Sequence, residues 1–168
     1  MIRHYYDYCR TLTMRTIVEI LVVDDSDEDA ALTLDCLRRA APDMTVLRLT
    51  DGGQALHFIR ATDGYASRPP GLPKLVILDL HMPGMGGVAV LESLRESPGM
   101  QEMPVVLWTS SSNPAFAEQA RQAGAADYRV KPQTLDAYRA EIDSIVQRWL
   151  RNDAIEPRDR AQHDRLEA

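Results

Sequence analysis

Five short apolar runs, at 17–23, 44–49, 75–78, 105–108 and 126–130, narrow the folds open to this chain more than any other feature. They are rich in Val, Leu and Ile and lack the clean polar–apolar alternation of a strand with one face in water. Strands covered on both faces read this way. Helical patterns separate the runs. The first spans 27–40, with Leu32, Cys36 and Ala40 on one row and Thr33, Leu37 and Ala41 beside it. Ser26 with Asp29 can cap its start. The second spans 53–60, and the third spans 88–96, stopping before Ser97-Pro98-Gly99. The fourth opens at Asn113-Pro114, a cap followed by proline in the first turn, and ends at Gly124. The fifth runs from Thr134 or Leu135 to Leu150.

Strand–helix alternation repeated five times predicts a parallel sheet with helices on both faces. Right-handed crossovers leave few topologies. The expected fold class is α/β: a flavodoxin-like, doubly wound, five-stranded parallel sheet of order 2-1-3-4-5. Ligands of such sheets bind beyond the carboxyl ends of the strands at the switch point, here between the first and third strands. The segment 62–74, with Pro69, Pro70, Gly71 and Pro73, reads as a long, partly extended loop. One domain at 16–150 is expected, between a leader at 1–15 and a polar tail or dimer arm at 151–168.

Net charge is −6 and no Lys/Arg-rich block occurs, which argues against nucleic-acid binding through a basic patch. No apolar run approaches the roughly 20 residues that span a bilayer. The leader holds Tyr5, Tyr6 and Tyr8 but no continuous apolar segment, so no signal peptide is read and a cytoplasmic location is expected. Cys9 and Cys36 lack metal-ligand spacing and read as free thiols.

The strand ends hold the chemistry. Asp24 and Asp25 follow the first run directly, Asp79 closes the third, and Val130-Lys131-Pro132 closes the fifth. Adjacent carboxylates at the end of a buried strand repel and lose water unless a cation sits between them. Mg²⁺ prefers oxygen ligands and keeps several waters, and Asp24, Asp25 and Asp79 can supply such a shell. A carboxylate beside the metal can act as a nucleophile and form an aspartyl phosphate. That reaction depends on charge neutralisation around the transferring group more than on a base. Lys131 supplies a fixed positive charge and Thr109 a hydroxyl at the same sheet edge.

Four motifs then stand in order: Val22-Val23-Asp24-Asp25-Ser26, Ile77-Leu78-Asp79-Leu80-His81-Met82-Pro83-Gly84-Met85-Gly86-Gly87, Val106-Leu107-Trp108-Thr109-Ser110, and Ala125-Ala126-Asp127-Tyr128-Arg129-Val130-Lys131-Pro132. With them the chain resembles a response-regulator receiver domain of the CheY-like kind over residues 17 to 150. The resemblance implies a signalling module of a two-component phosphorelay and not an enzyme. Asp79 would accept phosphate from a histidine kinase, and Asp24 and Asp25 would hold Mg²⁺ with the backbone carbonyl of His81 as a further ligand. Lys131 would pair with the phosphate, Thr109 would hydrogen-bond it, and Tyr128 would be the switch aromatic coupled to Thr109. The Lys131–Pro132 bond would be cis. The loop before the third strand and the region from Asp51-Gly52-Gly53-Gln54-Ala55-Leu56 to Asp79 are similar to stand-alone regulators of phytochrome-type histidine kinases. Such a regulator would pass its signal through protein contacts or to a downstream phosphotransfer protein. Gly86 and Gln133 depart from the family's usual acid and aromatic, and Trp108 is unusual bulk beside Thr109.

Several features also have plainer readings. Asp27, Glu28 and Asp29 read as helix-dipole and capping residues and not as ligands. The side chains of His81, His57, His4 and His163 have no metal spacing. Leu135, Tyr138, Ile142, Ile145 and Trp149, widened by Val146 and Leu150, form a stripe that suits a core face against the sheet. Its breadth leaves room for a partner, so Tyr138, Ile142, Ile145 and Trp149 are the expected contacts of a homodimer. Two rivals differ in class. A Mg²⁺-dependent phosphatase of the haloacid-dehalogenase type expects Asp-x-Asp-x-Thr/Val after the first strand, which Asp25-Ser26-Asp27-Glu28-Asp29 breaks. A receiver-like binding module without phosphorylation is opposed by intact Asp24, Asp25, Asp79, Thr109 and Lys131.

Overall fold

A computed structural model describes residues 17–151. The leader at 1–15, Cys9, His4, His163 and the tail beyond Arg151 lie outside the described residues. Strands β1 (Ile20–Val23), β2 (Val46–Leu49), β3 (Leu75–Asp79), β4 (Val105–Thr109) and β5 (Asp127–Val130) alternate with helices α1 (Asp27–Ala40), α2 (Gly52–Arg60), α3 (Gly87–Arg95), α4 (Pro114–Gln122) and α5 (Leu135–Val146). The sheet is parallel throughout and ordered β2-β1-β3-β4-β5. This is the expected fold class and strand order.

The missing alternation in the apolar runs has a direct cause. Leu21 and Val23 of β1, Val76 and Leu78 of β3, and Val105 and Leu107 of β4 enter one core with α2, α3 and Ala120 of α4. Ile20, Val22, Leu75, Ile77, Val106 and Trp108 enter a second core with α1 and α5. Both faces of the central strands are dry, so both sets of side chains are apolar. The two cores meet only through the sheet, whose carboxyl ends remain the open edge.

The starts of α1 and α4 follow the sequence signals, and Asp51 caps α2, a cap that escaped the sequence reading. Ser26 Oγ accepts from Asp29 N at 3.2 Å, and Asp51 Oδ1 accepts from Gln54 N at 2.8 Å. Asn113 Oδ1 accepts from Ala115 N at 3.0 Å, with Pro114 in the first turn of α4. The loop at 62–74 is less extended than its prolines suggest. It contains a 3₁₀ turn, Asp63–Tyr65, and Arg68 pins it to the end of α2. Arg68 Nε donates to Phe58 O at 2.6 Å and Nη2 to Ile59 O at 2.9 Å, and its guanidinium lies 4.7 Å from the Phe58 ring centre. The fifth helix is α-helical only to Val146 and ends in a π turn, Gln147–Arg151. Arg151 Nη2 donates to the Ala40 carbonyl at 2.6 Å, so a cation meets the negative end of the α1 dipole.

The stripe on α5 is a core face. Tyr138, Ile142 and Ile145 are buried in the second core, and Trp149 packs half-buried at its margin under the Arg148 guanidinium. The expected dimer contacts Tyr138, Ile142 and Ile145 are therefore corrected. Sheet and α1 together consume the breadth that left room for a partner. Trp108 explains part of that breadth, because its ring reaches α5 and packs edge-on against Tyr138 with centroids 5.1 Å apart.

Candidate phosphoryl and metal site

The order β2-β1-β3 sets the ends of β1 and β3 side by side, with Val23 opposite Leu78. Asp24 and Asp25 leave β1 there and Asp79 ends β3. Carboxylate oxygens of all three lie within 4.8 Å of one another, with Asp24 and Asp79 buried and Asp25 exposed. Such a set of hard oxygen donors, with one member open to water, suits a divalent cation of the Mg²⁺ class. Among the described residues these are the ones that could form a metal-holding group.

Lys131 enters from the end of β5 and is itself buried. Its Nζ donates to Asp24 Oδ2 at 2.8 Å and to Asp29 Oδ2 at 2.7 Å, and stands 3.3 Å from Asp79 Oδ1. Burial opposes the ammonium charge, but the hydrogen bonds to Asp24 and Asp29 outweigh it and hold the lysine protonated well above its ordinary range. The Asp79 carboxyl is pushed up from its ordinary value. Burial is the main cause; Lys131 pulls it down and Asp24 pushes it further up.

The loop after β3 shapes the floor of the pocket. His81 N donates to Asp79 Oδ2 at 3.1 Å, which orients the carboxylate. Gly84 turns the chain with φ +77°, a conformation that favours glycine. Gly87 begins α3 against the backbone of β3, where a Cβ would overlap the Asp79 carbonyl. The helix can thus start directly under the aspartate.

On the far side, Thr109 is fully buried and ends β4. Its Oγ1 accepts from Ser111 N at 3.1 Å, and Tyr128 OH donates to Ser111 O at 2.9 Å. Thr109 and Tyr128 are therefore linked through the backbone N–H and carbonyl of Ser111. The Lys131–Pro132 bond, expected cis, is trans, as are all described peptide bonds. The trans form costs nothing at an X–Pro bond. With it Lys131 N still reaches Thr109 O at 2.7 Å and the ammonium still enters the pocket.

Three residues of the pocket escaped the sequence reading. Asp29 contributes a carboxylate to Lys131, not only a helix start. Arg48 of β2 wraps the pocket rim: Nε and Nη2 donate to Asp24 O at 3.2 and 3.0 Å, and Nη1 meets Asp27 Oδ1 at 2.7 Å. The His81 imidazole lies over the site, with Nδ1 3.4 Å from Thr109 Oγ1 and the ring edge-on to Phe116. Only Arg48 left a signal, as a lone cation inside an apolar run.

The sequence matches the response regulator receiver domain family over residues 20–143. The chain belongs to that family. This receiver is similar to the response regulator Rcp1 of Synechocystis sp. (strain PCC 6803), with 29% identity over 131 residues, 78% of this chain and 88% of that one. Among solved structures, the phosphorylated cyanobacterial phytochrome response regulator RcpA superposes with a TM-score of 0.75 at 25% identity, covering 82% of this chain and 96% of that one. A Mn²⁺-bound form of Rcp1 superposes with a TM-score of 0.72 at 28% identity, covering 82% and 96%. Receivers of response regulators interact with histidine kinases and have an acidic metal pocket; the acidic cluster of this receiver is consistent with the second trait.

Proposed function

We propose that this receiver is a phosphoacceptor of a two-component phosphorelay, taking a phosphoryl group on Asp79 from a histidine kinase of phytochrome type. The observation that carries this reading is Lys131 Nζ set 3.3 Å from Asp79 Oδ1, beside three carboxylates whose oxygens lie within 4.8 Å. Asp79 Oδ1 attacks the phosphorus of a phosphohistidine. The P–O bond forms as the P–N bond breaks, and the imidazole leaves with a proton from solvent. Lys131 and the Thr109 hydroxyl meet the negative charge of the phosphoryl oxygens, while His81 N holds the other carboxylate oxygen. A divalent cation held by Asp24, Asp25 and Asp79, with the His81 carbonyl as a further ligand, would neutralise the acids and draw in the phosphoryl group.

The receiver then acts as a switch in the cytoplasm and not as an enzyme. Movement of Thr109 toward the phosphate disturbs its bond from Ser111 N, and Ser111 O is the acceptor of Tyr128. Output passes through protein contacts, including a downstream phosphotransfer protein. Self-association belongs to the same proposal. It is supported by the position of β5 at the edge of the sheet among the described residues and by exposed Val130 and Leu135 on either side of Lys131. Light scattering on the eluting protein, with and without a phosphoryl mimic, is expected to give twice the chain mass; a monomer at high concentration in both states sinks the dimer.

Intact mass after incubation with acetyl phosphate and Mg²⁺ tests the main reading. One added phosphate, abolished by Asp79→Asn, is expected. No addition, or addition that survives the substitution, overturns it, and turnover of phosphate esters would favour a phosphatase.

A further inference from the structure

Lys131 has one more carboxylate than the phosphoryl pocket requires. An ammonium offers three N–H donors. Its two short bonds go to Asp29 Oδ2 at 2.7 Å and Asp24 Oδ2 at 2.8 Å, while Asp79 Oδ1 stands farther off at 3.3 Å. Asp24 faces a second demand, since it belongs to the carboxylate cluster suited to a cation and Asp29 does not. Charge that Asp24 gives to a metal is withdrawn from its bond to Lys131. Asp29 stays available. Its backbone is fixed in the first turn of α1 by Ser26 Oγ, and its side chain is 37% exposed, so it keeps contact with water.

We propose that Asp29 is a positioning residue for Lys131. It anchors the ammonium from the α1 side when Asp24 serves a cation, which leaves the other N–H donors for a phosphoryl oxygen on Asp79. This rests on the phosphoacceptor reading above.

A double-substitution cycle tests it, using Asp29→Asn, Lys131→Ala and both together in the full chain. The measured quantity is the rate of phosphate uptake from acetyl phosphate in saturating Mg²⁺. Asp29→Asn is expected to slow uptake about tenfold, the size of one lost hydrogen bond to a charged group. In the Lys131→Ala background it should add nothing further. Equal slowing in both backgrounds would show a merely structural role and overturn the proposal. Faster uptake by Asp29→Asn would also overturn it, because Asp29 would then be competing with the phosphate for the ammonium. A second readout needs no phosphate. The ¹⁵Nζ signal of the Lys131 ammonium should persist in wild-type protein with and without Mg²⁺, and should be lost in Asp29→Asn once Mg²⁺ is added. Its persistence in the variant refutes the anchoring. If the wild type takes no phosphate at all, the phosphoacceptor reading fails, and the Lys131 signal still decides whether Asp29 holds the lysine.

Discussion

Asp79 is held in a place that resists its own charge. Burial raises its carboxyl above the ordinary value, Lys131 relieves part of that cost, and Asp24 adds to it. Without metal, the folded state therefore binds the Asp79 proton more tightly than the unfolded chain does. The stability tied to that proton is fully present below the ordinary carboxylate range and is lost as pH rises through the elevated folded value. Asp79→Asn keeps the shape and removes the charge. In EDTA at neutral pH it should stabilise the protein by about 1 kcal/mol, in the ordinary range of single substitutions. The advantage should shrink as pH falls into the carboxylate range, as read by urea unfolding at several pH values. Asp24, Asp25, Asp79, Lys131 and Thr109 could be found in the sequence because each sits directly at the end of an apolar run, where the fold class already places ligands. Asp29 could not, and Arg48 showed only as a cation out of place in an apolar run. An acid in a first helical turn looks the same whether its carboxylate faces water or crosses to a lysine 102 positions away. An arginine inside a strand does not announce which carbonyl its guanidinium will reach.

Between elements, the joint of β4, α1 and α5 is tied by a buried polar cluster. Trp108 Nε1 donates to Tyr138 OH at 3.0 Å, and Tyr138 OH shares a 2.7 Å hydrogen bond with Thr33 Oγ1. All three residues are buried. Tyr138→Phe removes one oxygen and strands two groups, so it should cost about 1–3 kcal/mol, the penalty for leaving buried polar atoms unpaired. Chemical denaturation of the variant checks this; a change within ±0.5 kcal/mol would mean that water or rearrangement satisfies both groups. The same cluster explains why the sequence misled about α5. Periodicity reports that a helix face is apolar but not how far the neighbouring strand reaches toward it. A tryptophan on β4 widens the face that α5 must cover, and the extra breadth read as surface. The limits of α5 were also overstated, since residues that continue the 3.6-residue pattern past Val146 fold into a π turn instead.

For the molecule as a whole, the acidic pocket should make stability depend on divalent cations. A ligand that binds only the folded state adds about 2.7 kcal/mol at a hundredfold excess over its Kd. Thermal melts across a Mg²⁺ titration should rise accordingly, and Asp25→Ala should remove most of the gain. A melt indifferent to Mg²⁺ would refute the metal reading. The layered architecture and strand order were legible because two-sided burial leaves its mark on every central strand. Both hydrogen bonds of the Lys131 ammonium join residues more than 100 positions apart, 107 for Asp24 and 102 for Asp29. Pairings of such separation carry a high loop-closure cost and are expected among the later contacts of folding. A nascent chain that has not yet emerged past β5 already holds every carboxylate of the pocket and lacks its cation. On the proposed phosphoacceptor reading, competence to receive a phosphate would arrive only when the last strand docks, so the chemistry itself would report that the sheet is complete.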